Sequence, residues 1–143
     1  MTETKKERRK GERKGTYLLF LTFAETQEIH TGSLGILAVK GEYCYVGSAL
    51  NGIDSRIKRH FSKEKKTRWH IDHLTLSADT TEAYISLVPI PECTLSEMAE
   101  NSGCIPVFKG FGCSDCRCRT HLFSINETSK QKLLNMSNAA PFS

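Results

Sequence analysis

No stretch of this sequence is long and apolar enough to cross a bilayer. The longest apolar run, residues 17–23, is interrupted by Thr22 and falls far short of the roughly 20 residues a spanning helix needs. A secretory signal is missing too: the basic flank contains Glu3, Glu7 and Glu12, and Thr22-Phe23-Ala24 offers no small-x-small cleavage site before Glu25. There is no internal repeat and no low-complexity tract beyond the first residues. With 38% hydrophobic and 25% charged residues, the chain also lacks the bias of a disordered or collagenous protein. A cytoplasmic protein without membrane attachment is expected. At 143 residues it makes one ordinary domain, a size that buries roughly two thirds of its unfolded surface and needs no staple. Six cysteines are present, but without an oxidising compartment they do not imply a disulfide framework.

The net charge of +4 is small, and its placement says more than its total. Residues 1–14 carry seven basic and three acidic side chains and no apolar periodicity, so they read as a disordered basic arm ahead of a domain over 15–143. The rest of the chain is neutral. Within it, Arg56, Lys58, Arg59, Lys63, Lys65, Lys66 and Arg68 face the single acid Glu64. Two basic blocks are the electrostatic footprint of a nucleic-acid partner; solvated surface is the competing reading.

Residues 17–23 read as a buried strand, 24–35 as a connection, and 36–39 and 43–47 as a hairpin turning at 40–42. Asn51 and Asp54 form a capping arrangement ahead of a helix whose apolar stripe is Ile53, Ile57 and Phe61. Arg56 and His60, four apart, are expected together at the rim of that stripe. Residues 69–76 read as a short helix or an extended turn, and 83–88 as a fourth strand. A helical stripe follows at Leu95, Met98 and Ala99, then a last strand at 121–125 and a terminal helix at 130–134. Mixing without regular alternation argues α+β.

Gly15-Thr16-Tyr17 opening the first strand and Tyr45-Val46-Gly47 closing the hairpin resemble the two signatures of the GIY-YIG nuclease superfamily, with Arg56 matching its arginine. The agreement extends to one prokaryotic subgroup of unassigned function, through residues 43–49, Arg59-His60, Trp69-His70-Ile71-Asp72, Glu92-Cys93-x-Leu95, and Phe111-Gly112-x-Ser114-Asp115-Cys116-x-Cys118 followed by His121-Leu122-Phe123. The resemblance implies a small three-stranded antiparallel sheet flanked by helices, with extra strands and an insertion between the two motifs. It also implies divalent-metal-dependent hydrolysis of nucleic-acid phosphodiesters. Thr16 and Val46 replace the usual isoleucines. The long step from Tyr17 to Tyr45 makes residues 24–40 an insertion bearing on the substrate groove.

Such hydrolysis needs an activated water, a cation on the developing charge and help for the leaving oxygen. By the resemblance, Tyr17 and Tyr45 flank the phosphate, one of them acting as general base or orienting the water. Arg56 holds the non-bridging oxygens with its planar fork. A carboxylate anchors magnesium, which keeps most of its own waters. Family alignment points to Glu92 for that role. Thr94-Leu95-Ser96-Glu97 is a capping box that would occupy Glu97 with backbone, so Glu92 is favoured over Glu97 whether the helix opens at Pro91 or Thr94.

His60 reads as a phosphate donor, an aid to the general base or a helix-rim packing residue, and His70 as a tautomer-fixed proton carrier or a buried structural hydrogen bond; His73 reads as structural. Lys58, Arg59, Lys63, Lys65, Lys66 and Arg68 are the candidate phosphate contacts. Cys113, Cys116, Cys118 and His121 offer zinc-type ligands. All four fall within nine residues, whereas structural sites join distant segments, so zinc is not expected and the cysteines read as small hydrophobes in a tight turn. Two functions compete: a magnesium-dependent endonuclease acting on DNA, with repair suggested by relatives that include the incision subunit of bacterial nucleotide excision repair, and a non-catalytic nucleic-acid-binding module of the same fold. A zinc-structured interaction domain is a third.

Overall fold

The structure, a computed structural model, describes residues 15–49, 52–86, 88–113 and 118–142. The basic arm at 1–14 lies outside the described residues, as do Asn51, Ser114, Asp115 and Cys116.

The chain runs β1 (Gly15–His30), a 3-10 turn (Gly32–Leu34), β2 (Ile36–Ala49), α1 (Ile53–Phe61), α2 (His70–Ser77), β3 (Thr80–Ser86), α3 (Glu92–Asn101), β4 (Ile105–Pro106), β5 (Leu122–Ser124), α4 (Glu127–Ser137) and β6 (Ala139–Pro141). The strands form one six-stranded antiparallel sheet in the order β4-β5-β2-β1-β3-β6. The α+β class expected from the pattern is therefore present. Its middle is the long trio β2-β1-β3, and the short strands β4, β5 and β6 widen it at the two edges.

The apolar run at 17–23, interrupted only by Thr22, has a direct cause: β1 is covered on both faces. Tyr17, Leu19, Leu21 and Phe23 alternate onto the face packed by Ile53 and Ile57 of α1 and Ile71 and Leu74 of α2. Leu18 and Phe20 point to the opposite face, against Leu95 and Ala99 of α3 and Leu133 of α4. A strand sandwiched in this way has no solvent side to encode.

The hairpin differs from the expected one. Residues 24–35 are not a connection, and 40–42 are not its turn. Strand β1 continues to His30, the chain reverses at 31–35, where Thr31 N–H donates to the Gly35 carbonyl at 2.8 Å, and β2 returns through Lys40–Glu42. Gly41, at φ +93°, pairs with Phe23 where the register shifts. The glycine thus marks a bulge within one strand rather than a turn between two. The insertion is the distal half of this hairpin, tied to the α2–β3 connection by Ala24 N–H donating to Asp79 Oδ2 at 2.7 Å and Gln27 Nε2 donating to the Ser77 carbonyl at 3.2 Å.

Three other elements depart from expectation. Strand β3 begins at Thr80, three residues before the expected start. Helix α3 begins at Glu92 after Pro91, with Leu95 N–H bonded to the Pro91 carbonyl at 2.9 Å, so Thr94 lies within the helix and is no cap. Helix α4 is longer than residues 130–134 because Asn126 caps it, accepting from Ser129 N–H at 2.8 Å while Ser129 Oγ accepts from Asn126 N–H at 3.0 Å. That reciprocal cap uses a serine where a Glu or Gln signals the usual box.

Candidate functional site

The start of β1 and the end of β2 meet at one end of the sheet, where Tyr17 pairs directly with Gly47. The Tyr17 ring lies flat against that glycine. A Cβ on residue 47 would overlap Tyr17 at Cζ and the hydroxyl, so any side chain there requires the tyrosine ring to move. Held there, Tyr17 is buried and its hydroxyl lies 2.7 Å from His60 Nε2. Tyr45, two residues before Gly47, shares the face; its ring centroid is 6.3 Å from that of His60 and 6.1 Å from that of Phe111.

His60 corrects the expectation of a rim residue. Ile53, Ile57 and His60 follow the i, i+4, i+7 rule, which puts the histidine on the apolar stripe itself, and it is 1% exposed. Phe61, assigned to the stripe from sequence, is instead 40% exposed beside Phe142. Arg56 does stay at the rim. Its Nη1 donates to the Ser48 carbonyl at 2.7 Å, and its guanidinium lies 4.6 Å from the centre of the Trp69 ring.

Ser48 is the residue that sequence reasoning missed. Its carbonyl receives Arg56 from α1, and its hydroxyl donates to Glu92 Oε2 at 3.0 Å from α3. One residue of β2 thereby joins a guanidinium from one face of the sheet to a carboxylate from the other. Its sequence signal was its place after Gly47 within residues 43–49, the stretch shared with the subgroup, which gave it no role. Thr16 fixes the approach of α3 by donating from Oγ1 to the Ile90 carbonyl at 2.8 Å. Glu92 falls in the first helical turn with its side chain 29% exposed, whereas Glu97 faces outward further along α3.

Burial governs the protonation of this group. It pushes the Tyr17 phenol well above its ordinary value, reinforced by Tyr45 and opposed by Arg56. Tyr45 is raised by burial and by the Glu92 charge. His60 is lowered to about 3, by burial first and then by Lys65. All three rings are therefore neutral at pH 7. His60 Nδ1 is buried without a hydrogen-bond partner. A buried N–H is the costlier orphan, so the proton is assigned to Nε2, which donates to the Tyr17 oxygen. That leaves the tyrosine's own proton free to be donated.

The remaining sequence candidates divide in two. Lys58, Lys66 and Arg68 are exposed. Arg59, Lys63 and Lys65 are engaged with the body of the protein. Arg59 pairs with buried Asp72 at 2.8 Å, and Lys63 Nζ donates to the Thr75 and Ala78 carbonyls. Lys65 Nζ donates to the Arg59 and His60 carbonyls at 3.1 Å, closing the end of α1. Lys65 is lowered to about 8, chiefly by burial. Only the first part of the basic block is helical; α1 ends at Phe61, and Lys63 and Lys65 turn back to bond Thr75 of α2. Burial opposes the Asp72 charge, yet its pKa lies below the ordinary value because Arg59 and the amides of Arg68 and Trp69 bond the carboxylate.

His70 is not brought to Tyr17 and Arg56. Its Nδ1 accepts from Gly112 N–H at 3.1 Å and its Nε2 lies 3.3 Å from Ser33 Oγ, so it ties the hairpin tip to the 111–113 loop. It lines a cleft of about 180 Å³ with Tyr45, Arg68, Trp69, Gly112 and Cys113.

Residues 16–141 match the family described as domain of unknown function DUF123. The chain belongs to the DUF123 family. No curated protein and no solved structure matches it. The stretch matched to DUF123 runs from Thr16 through the last strand, so it contains Tyr17, Tyr45, Arg56, His60 and Glu92 together. Among the described residues of this DUF123 domain no helix is long and apolar enough to cross a membrane.

Proposed function

We propose that this DUF123 domain is a divalent-metal-dependent endonuclease that hydrolyses phosphodiester bonds of nucleic acid, with DNA as its substrate. The observation that carries the reading is Ser48 bonding both Arg56 and Glu92, directly after the Gly47 against which the His60-bonded Tyr17 packs. A fixed cation, a fixed carboxylate and an oriented hydroxyl are the parts that in-line attack on a phosphodiester requires.

Glu92 suits magnesium in kind. It is a hard oxygen donor, partly exposed, and one or two carboxylates suffice for an ion that keeps its waters and takes substrate phosphate oxygens. Bound there, magnesium supplies Lewis-acid charge to the phosphate. The protein's own residues account for the rest. Arg56, braced by the Ser48 carbonyl and Trp69, presents its remaining N–H groups to the non-bridging oxygens. Tyr17 accepts from His60 and keeps a hydroxyl to orient the attacking water. With its acidity suppressed by burial, it positions that water rather than carrying off its proton. Tyr45 walls the opposite side of His60.

The test is cleavage of duplex, flap, branched and single-stranded DNA with magnesium or with chelator. Magnesium-dependent products from the wild type, with a rate lowered at least about 100-fold in Glu92→Gln at unchanged melting temperature, are the expected result. Full activity in Glu92→Gln would remove the carboxylate from the mechanism. Salt-sensitive binding without cleavage of any substrate would leave the non-catalytic binding module as the function.

A further inference from the structure

We propose that Cys93, Cys118 and His121 form a binding site for zinc or a similarly thiophilic divalent cation, which adjoins Glu92 but uses a different donor set and does not depend on the nuclease reading. The sequence argument against zinc was that its ligands crowd into one short segment. The fold removes that objection by bringing Cys93, in the first turn of α3, to the segment that leads into β5. The Sγ atoms of Cys93 and Cys118 lie 2.6 Å apart. One ring nitrogen of His121 completes a trio of ligand atoms all within 4.8 Å of one another. Zinc–sulfur bonds of about 2.3 Å and zinc–nitrogen bonds of about 2.0 Å space tetrahedral ligands within that span, the two sulfurs parting by roughly 1 Å as the ion enters.

Three features mark the trio as a built site. His121 is fixed at its backbone, where its carbonyl accepts from Val46 N–H and its N–H donates to the Phe111 carbonyl, both at 2.9 Å. Both ring nitrogens have a neighbour, Ser96 Oγ 2.7 Å from Nδ1 and Glu92 Oε1 3.6 Å from Nε2, so the ion takes the place of one of these contacts while the other keeps the ring oriented, as metal-bound imidazoles are held. An entry path exists as well, since Cys93 and Cys118 line a cleft of about 240 Å³ with Ser96, Glu97 and Thr120. A bond between the two sulfurs would explain their closeness but leave the histidine without a part. Two sulfurs with an imidazole are the donor set zinc selects over magnesium. Three protein ligands leave a fourth position for solvent or another donor.

The experiment uses the full chain purified under reducing conditions without chelator. Elemental analysis should find stoichiometric zinc. Cobalt(II) added to the stripped protein should give thiolate-to-cobalt charge-transfer absorption, and Cys93→Ser or Cys118→Ser should abolish both signals. The zinc content and cobalt spectrum of the wild type stand even where a variant folds poorly. Zinc and cobalt absorption undiminished in folded Cys93→Ser would overturn the proposal, as would absence of cobalt absorption from the reduced wild type. A metal-free protein whose non-reducing digest joins the Cys93 and Cys118 peptides would replace it with a disulfide.

Discussion

Tyr17 can place its hydroxyl 2.7 Å from His60 only because residue 47, directly across the ladder, has no side chain. The glycine is needed there for space rather than for an unusual backbone angle. Gly47→Ala should therefore displace the Tyr17 ring from a close-packed core, costing about 1–3 kcal/mol of stability. Its cleavage rate should fall further than the lost folded population explains. Urea unfolding and single-turnover cleavage on the same preparations check this. A variant as stable and as active as the wild type would mean that the ring can leave the glycine freely, and that its seat matters to neither folding nor catalysis.

His60 should make the protein acid-sensitive in a defined window. Its ordinary value is 6.5, and in the fold it is about 3. Between those limits the unfolded chain binds a proton that the folded chain refuses, so stability falls as pH falls, by up to about 1.4 kcal/mol per pH unit. From pH 7 to pH 5 the contribution of this residue should be about 2 kcal/mol lost. Below that window Asp72 adds to the loss, because its depressed pKa stabilises the fold only while the carboxylate remains ionised. His60→Gln can still bond to Tyr17 but does not titrate, and it should flatten the slope between pH 7 and pH 5. Equal slopes in variant and wild type, read by urea unfolding, would show that His60 titrates normally in the fold.

The parts of the fold that could be read in advance are those where period and chemistry agree. The run at 17–23 is a strand, Ile53 and Ile57 mark α1, and Leu95 and Ala99 mark α3. What misled was punctuation. Gly41 looks like a turn but serves a bulge, and Thr94 looks like a cap but lies inside a helix, since local signals do not reveal which strand lies alongside or which carbonyl is within reach. At the site, the family resemblance singled out Tyr17, Tyr45, Arg56 and Glu92 as candidates. The burial of His60, the bridge at Ser48 and the meeting of Cys93 with Cys118 depend on contacts between elements far apart in the chain, which spacing cannot encode.

The cations of residues 56–68 should separate into three behaviours if the domain binds and cuts DNA. Lys58, Lys66 and Arg68 are exposed, and three phosphate contacts imply a contribution of about −2.7 to the log-log salt slope on duplex DNA. Lys58→Ala and Lys66→Ala should each flatten that slope by about 0.9 and weaken binding equally for all sequences. Lys65 closes the end of α1, so Lys65→Ala should lower the melting temperature and leave the slope of the folded protein unchanged. Arg56 is held between Ser48 and Trp69 beside the tyrosines. If its charge is matched to the transition state, Arg56→Ala should lower the single-turnover rate by about 100-fold or more, while affinity changes by less than about tenfold. Binding titrations across a salt series and rates at saturating enzyme read the three effects separately. A slope untouched by the exposed lysines would place the DNA on another face of the protein. An Arg56→Ala variant with full rate and weakened affinity would make that arginine a binding contact and leave Glu92 without its catalytic partner.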